Sequence, residues 1–218
     1  MGAIARSAAN LITTSGVVLK GAVNNDSFDN VTALPSSFGD GITLISSQTA
    51  SSSASISFTS GITSTYKAYK FVFSNIHPAT NDANFEFQGS TNGGSSYGIT
   101  ITSAAFRAAH TEDDSVANLN YDTGYDLAQS TSYQWLKYAI GNNNDDSASG
   151  TLTIFNPAST TYVKHFINIT NGARGDGVTF NDFMSGYFNT TSAINAFQFR
   201  MSSGNIDAGT IYLYGIKW

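Results

Sequence analysis

Four residues in the most highly charged part of the chain, His110, Glu112, Asp113 and Asp114, could perform acid–base chemistry. An imidazole beside carboxylates can transfer protons to and from a substrate. Neighbouring carboxylates, however, rarely converge on one substrate atom, because acid–base pairs act across a cleft at defined separations. A solvated loop tip is the alternative interpretation, and the polar composition of this segment favours it.

The remaining residues predict neither an active site nor a metal site. His77 and His165 have no carboxylate at the spacing of a zinc motif, the chain has no cysteine, and no Gly-x-Ser-x-Gly sequence occurs. The segment 142–150, "NNNDDSASG", resembles a calcium loop in composition but lacks the central glycine and distal glutamate of an EF-hand. We interpret it as a hairpin loop, with a stray bound ion as the alternative, and we expect neither an enzyme nor a cofactor.

Four aromatic residues in and just after the charged segment could bind a sugar: Tyr121, Tyr125, Tyr133 and Trp135. Aromatic rings beside Asp and Asn are typical of carbohydrate-binding surfaces, where the rings stack on the sugar. The same rings could instead pack this segment onto the rest of the fold, because Tyr and Trp combine an apolar body with a polar tip. Packing is the favoured interpretation, and a surface glycan stays an alternative partner.

The composition narrows the class of protein further. Of 218 residues only 11% are charged, against about 25% in an average soluble domain, while 13% are aromatic. The formal net charge is −5 without any cluster of Lys and Arg, so we expect no nucleic-acid partner. No apolar run has the length of a signal-peptide core or a membrane span, so no membrane insertion is expected.

The chain changes character near residue 41. Before it, Asn, Gly and Pro interrupt every helical or strand period, and this stretch cannot build its own core. We predict an N-terminal attachment arm over 1–41 and one domain over 42–218. The apolar side chains of the arm are its candidate partner-binding residues: Leu11, Ile12, Val17, Val18, Leu19, Val23, Phe28, Val31 and Leu34.

After residue 41 the sequence predicts strands separated by turns. Alternating residues should form core stripes on successive strands: Ile56 and Phe58; Tyr69, Phe71 and Phe73; Phe85 and Phe87; Ile167 and Ile169; and Phe197, Phe199 and Met201. Two such sheets bury a common interior, which predicts an all-β, antiparallel, jelly-roll-like β-sandwich. A lipocalin-type barrel is the rival, and a long irregular insertion at about 107–134 fits it less well.

The C-terminal segment "GTIYLYGIKW" predicts a strand with Ile211 and Leu213 on one face and Tyr212, Tyr214 and Ile216 on the other. This alternation indicates that the last strand closes a sheet. The opposite end of the chain is then the one available for attachment.

Several stretches resemble one family over nearly the whole chain. They are "TLISSQTASSSASISFTSGITSTYKAYKFVFSNIHPATNDANFEFQGSTNGG", "LAQSTSYQ", "GTLTIFNPASTTYVKHF" and "GTIYLYGIK", preceded by "LITTSGVVLKGAVNNDSFDNVTALPSS". They are similar to virion-associated β-sandwich proteins of tailed phages, especially marine ones, whose N-terminal segment attaches them to the particle. The resemblance implies a location on the virion surface and other virion proteins as partners. It implies no catalytic residue.

Two functions from different classes follow as expectations, and a depolymerase is the least favoured third. The leading one is an accessory capsid decoration, cement or head-fibre protein that its arm anchors. The alternative is a tail-fibre, receptor-binding subunit that recognises a host-surface glycan. Both predict a homo-oligomer, with a trimer expected for a fibre, because such spikes have closed symmetry.

Overall fold

The computed structural model describes residues 41–217, which form twelve strands in two antiparallel sheets. Residues 1–40, with the predicted partner-binding residues of the arm, and Trp218 lie outside the described residues. No helix that could cross a membrane occurs in the described part. The strands are β1 Ile42–Thr49, β2 Ile56–Phe58, β3 Ala68–Pro78, β4 Ala83–Ser90, β5 Ile101–Thr111, β6 Ala117–Tyr121, β7 Gln134–Ile140, β8 Ala148–Phe155, β9 Lys164–Arg174, β10 Val178–Phe188, β11 Ala196–Met201 and β12 Ile206–Ile216.

The two sheets differ in size and pack face to face. The large sheet has eight strands in the order β1-β12-β3-β8-β9-β10-β5-β6, and the small sheet has four in the order β2-β11-β4-β7. Side chains from both inner faces form one hydrophobic core. The predicted all-β, antiparallel, jelly-roll-like sandwich is confirmed.

Phenylalanine dominates the centre of this core. Phe199 of the small sheet lies with its ring centroid 4.9 Å from that of Phe71 and 5.4 Å from that of Phe73, both on the large sheet and both edge-on. Phe85 stacks on Phe199 within the small sheet at 5.8 Å. Alternation places these side chains inward, and they lose almost all contact with solvent. The predicted stripes on β2, β3, β4 and β11 are therefore confirmed.

The predicted stripe on β9 is wrong. Ile167 and Ile169 are 49% and 45% exposed, whereas the alternate residues Phe166, Asn168 and Thr170 are buried. β9 lies in the middle of the large sheet and turns Asn168 and Thr170 inward beside Phe166, so apolar character alone does not show which face of this strand lies in the core. Asn168 is satisfied inside because its Nδ2 donates to the carbonyl of Leu136 and its Oδ1 accepts from Thr170.

Two other local predictions also require correction. The supposed irregular insertion at 107–134 begins as a hairpin, because β5 continues to Thr111 and pairs with β6. The alanine-rich sequence of this part of β5 does not predict a strand, since Ala has low β-propensity. The segment 142–150 is not a hairpin loop: residues 142–147 lie in the connection from β7 of the small sheet to β8 of the large one, and residues 148–150 already belong to β8.

The C-terminal strand is fixed on both sides. β12 pairs with β1 and with β3, so it lies inside the large sheet and not at its edge. Ile211 and Leu213 are buried and Tyr212 and Tyr214 face outward, as the alternation predicts. The chain enters the sandwich through β1, which is an edge strand.

Candidate functional site

An aromatic cleft of about 370 Å³ lies over the outer surface of the small sheet. β4, β7 and β11 supply its floor, and the segment between β6 and β7 forms its wall. We call this site the aromatic cleft, and its lining residues are Glu86, Gly124, Tyr125, Leu127, Ser132, Tyr133, Trp135 and Arg200. Three of the four predicted glycan-binding residues, Tyr125, Tyr133 and Trp135, therefore meet here.

The floor of the cleft is a row of paired residues on three neighbouring strands. Arg200 of β11 is paired with Glu86 of β4, and Glu86 is paired with Trp135 of β7. Residues at the same register point to the same side of a sheet, so these three side chains leave the core together. Arg200 Nε donates to Glu86 Oε1 at 2.7 Å, and the Arg200 guanidinium lies 3.7 Å from the centroid of the Tyr133 ring.

Glu86 is a buried carboxyl group, whereas the side chain of Arg200 is 44% exposed. Burial raises the pKa of Glu86 above its ordinary value, and hydrogen bonds and charge from Arg200 act in the opposite direction. Among the described residues, the two terminal nitrogens of Arg200 have no hydrogen-bond partner. The cleft therefore offers free guanidinium donors beside aromatic rings.

Buried amide side chains hold the wall of the cleft in place. Gln88 Nε2 donates to the carbonyls of Thr131 and Ser132, and Gln134 Nε2 donates to the carbonyl of Tyr125. Tyr133 Oη donates to Gln198 Oε1 at 2.5 Å. These bonds are made inside the protein, so the wall is ordered before any ligand arrives.

Tyr125 also packs against the interior. Its ring centroid lies 4.7 Å from that of Trp135 and 4.7 Å from that of Tyr138, and its hydroxyl accepts a hydrogen bond from Arg107 at 3.2 Å. Arg107 in turn forms an ion pair with Asp122 at 3.0 Å. Tyr125 therefore packs against the interior, and like Tyr133 and Trp135 it is half-buried and lines the cleft.

The chemistry that this arrangement allows is the recognition of a sugar. Tyr133 and Trp135 line the cleft, where the part of each ring not covered by Arg200 or Tyr125 could stack on the apolar side of a pyranose, and Arg200 can donate hydrogen bonds to its hydroxyl oxygens. Among the described residues that line the cleft, Glu86 is the one carboxylic acid. Hydrolysis by two carboxylates would need a second at a defined distance.

Tyr121, the fourth predicted glycan-binding residue, lies elsewhere. It is 58% exposed on β6, and its hydroxyl donates to Asp126 Oδ2 at 2.7 Å. Through the pairing with Phe106 of β5 it belongs to the large sheet. The structure therefore separates Tyr121 from the other three aromatic residues.

The four acid–base candidates lie in and beside the exposed turn between β5 and β6. His110 Nε2 is 3.1 Å from Asp114 Oδ1, with both side chains largely in solvent. Hydrogen bonds from Ser115 and Thr111 lower the pKa of Asp113 to about 2. Within residues 41–217, no group of three His, Asp or Glu side chains is placed to hold a metal ion. The interpretation as a solvated tip fits this geometry.

Sequence reasoning missed two central residues of the cleft, Glu86 and Arg200. Each is a single charge inside a strand whose neighbours are core residues, in "NFEFQ" and "AFQFRM". Such a charge must point away from the core, and a Glu and an Arg on two neighbouring strands can pair. That signal was present in the sequence, but it requires knowing that β4 and β11 are neighbours.

A second surface is the side of the large sheet that faces away from the small one, which we call the outer face. Paired residues form a row across it from β12 to β5 that is apolar except for Thr151: Tyr212, Val72, Thr151, Ile169, Phe183 and Phe106. Tyr121 of β6 continues this row. Phe106 and Phe183 stack with centroids 4.8 Å apart, yet Phe106 is still 45% exposed.

The outer face also has an unusual distribution of charge. Along β3, β8, β9, β10 and β5, none of the outward-facing strand residues is Asp or Glu, and Lys70 is the one Lys or Arg. The chain as a whole has 15 acidic residues. Exposed apolar area without charge is typical of interaction surfaces.

Comparisons with known protein families, with curated proteins and with solved structures give no match to this chain.

Proposed function

We propose that this chain is a structural component of a tailed-phage virion, on the particle surface: an accessory capsid decoration, cement or head-fibre protein. The outer face carries this proposal, because a wide apolar surface without carboxylates suits contact with other protein chains. The family resemblance of the sequence and the low content of charged residues support the same role.

The course of the chain supports attachment through the N-terminal segment. β12 is paired on both sides, so the C-terminal strand is committed to the sandwich. The segment before Gly41 precedes an edge strand, and its sequence contains apolar residues that could bind the capsid. Extended segments can attach a module by adding strands to a neighbour or lying in its grooves.

The test is the incorporation of full-length variants into particles. Replacing Val17, Val18 and Leu19 together by serine should reduce the number of copies per particle at least about tenfold, because the arm loses its apolar contacts. The control replaces the exposed residues Ser60 and Ser192 by alanine, and it should leave incorporation intact. Normal incorporation of the arm variant would contradict anchoring by this segment.

A second function, recognition of a host-surface glycan as part of a tail fibre, is favoured by the aromatic cleft. Two accessible rings, Tyr133 and Trp135, lie beside the guanidinium of Arg200 in a preformed wall. This combination of stacking surface and hydrogen-bond donors fits a saccharide better than it fits a flat protein surface.

The matched pair Tyr133→Ala and Tyr162→Ala tests this second function. Tyr162 is 71% exposed and does not line the cleft. Glycan-array binding and adsorption to host cells should fall about tenfold or more for Tyr133→Ala, since stacking and the contact with Arg200 are lost. Tyr162→Ala should bind as the unaltered chain does. Equal binding by all three proteins would eliminate the glycan function of the cleft.

A further inference from the structure

The absence of exposed carboxylates on the central strands of the outer face indicates which partner it binds. The chain has a formal net charge of −5, so two copies repel each other over most of their surface. The outer face is where this repulsion is weakest, because its central strands expose no carboxylate. A basic partner would be drawn to the acidic parts of the molecule, and a polyanion would find only Lys70 here.

The shape of the face also fits a second copy. Its apolar centre lies on β9, β10 and β5, where Ile167, Ile169, Phe106 and Phe183 border a shallow depression of about 260 Å³. A patch that contains both exposed side chains and a depression can supply both halves of an interface between two copies. This is the property of an interface on a two-fold axis, in which both copies use the same surface.

The extent of the face can be compared with what a stable dimer buries. The five charge-poor strands, spaced about 4.8 Å apart and with the eight-residue length of β8, cover roughly 650 Å² in projection, and β12 and β6 at the two ends of the apolar row extend this to roughly 900 Å². A standard protein interface takes about 800 Å² from each partner. Two twisted sheets can pack through such faces as the sheets of a sandwich do, at an angle of about 30°.

We propose that the outer face binds the outer face of a second copy of this chain, forming a two-fold dimer in which Ile169 and Phe106 are buried. This inference deepens the proposed virion role and gives the assembly unit of that role. The association itself, however, needs no other virion protein, so it can be tested in solution.

Analytical ultracentrifugation of the full-length chain tests the dimer. The unaltered chain should sediment as a dimer, and Ile169→Asp should weaken association at least about a hundredfold, because a carboxylate would be buried without a partner. Asn144→Asp adds the same charge in the exposed loop between β7 and β8 and should remain dimeric. Ile167→Asp, with its thermal unfolding recorded, serves as a second variant should Ile169→Asp fail to fold.

Three outcomes would overturn the proposal: an unaltered chain that is monomeric, a trimer, or a dimer that persists in both folded aspartate variants. Incorporation into particles separates this proposal from the proposed function. If the chain is monomeric in solution yet Ile169→Asp is excluded from particles, the face binds another virion protein and the proposed function stands. If the dimer forms as expected but particles contain none of the chain, the dimer stands and the virion role fails.

Discussion

The inner and outer faces of the large sheet are made by the same strands, yet they have opposite environments. On β9, Phe166 points inward and is buried, while Ile167 and Ile169 point outward and are almost half exposed. On the inner face, side chains of the small sheet cover the apolar groups. On the outer face, no described residue covers them. Apolar character therefore does not by itself distinguish a core from an interaction surface. The difference is whether a second sheet packs over the apolar side chains.

The first prediction compares one phenylalanine from the core with one from the outer face. Phe199→Ala should lower the free energy of unfolding by about 3–5 kcal/mol, because it opens a cavity among Phe71, Phe73 and Phe85. Phe106→Ala should cost about 1 kcal/mol, mainly the stacking on Phe183. Urea unfolding at low protein concentration measures both. Similar losses for the two variants would show that the outer face is as important to folding as the core.

The second prediction concerns the charged part of the interior. Lys137 and Asp182 form a buried ion pair at 3.2 Å between the sheets. Burial lowers the pKa of Lys137 and raises that of Asp182, and their mutual attraction opposes both shifts. Asp182→Asn should lower the free energy of unfolding by about 3 kcal/mol, since it leaves the ammonium group without its counter-charge.

Asp207→Asn is the control for this substitution. Asp207 is 51% exposed and lies 3.8 Å from His77, so its removal should change stability by less than about 1 kcal/mol. Thermal or urea unfolding of both variants gives the comparison. Equal effects would mean that the buried pair contributes no more than an exposed one.

The third and smallest prediction is a pH dependence at the cleft. Burial raises the pKa of Glu86 in the folded protein above 4.5, so the folded state binds a proton more readily than the unfolded state does. As the pH falls through this raised pKa towards 4.5, the unaltered chain should therefore gain stability relative to Glu86→Gln. Melting temperatures of the two proteins across this range measure the difference, and parallel curves would contradict the raised pKa.

The sequence predicted most of the fold because alternation is a local signal. Phe85 and Phe87, or Phe197 and Phe199, are separated by polar or charged residues, and only one strand face can then be apolar. The predicted core stripe on β9 was wrong because Ile167 and Ile169, although they face outward, are also apolar and strongly β-forming. Which face of β9 is buried depends on where the small sheet packs, and that position is set by contacts between segments that are distant in the sequence.

The candidate site was predictable in part for the same reason. Tyr125, Tyr133 and Trp135 were recognised as a group because they lie close together in the sequence. Glu86 and Arg200 come from distant strands and meet them only through strand pairing. Tyr121 is near in sequence but lies on another surface, because β6 pairs with β5 at the edge of the large sheet. The sequence alone could not predict which residues from distant strands would become neighbours in space.

The most direct test of the central claim is to locate and count this chain on purified particles by cryo-electron microscopy, comparing particles with and without its gene. We predict density for the sandwich on the outside of the virion, present in many copies over the head. A few copies at the tail would instead favour the receptor-binding function and the aromatic cleft. Particles that contain no copy of the chain would contradict the account.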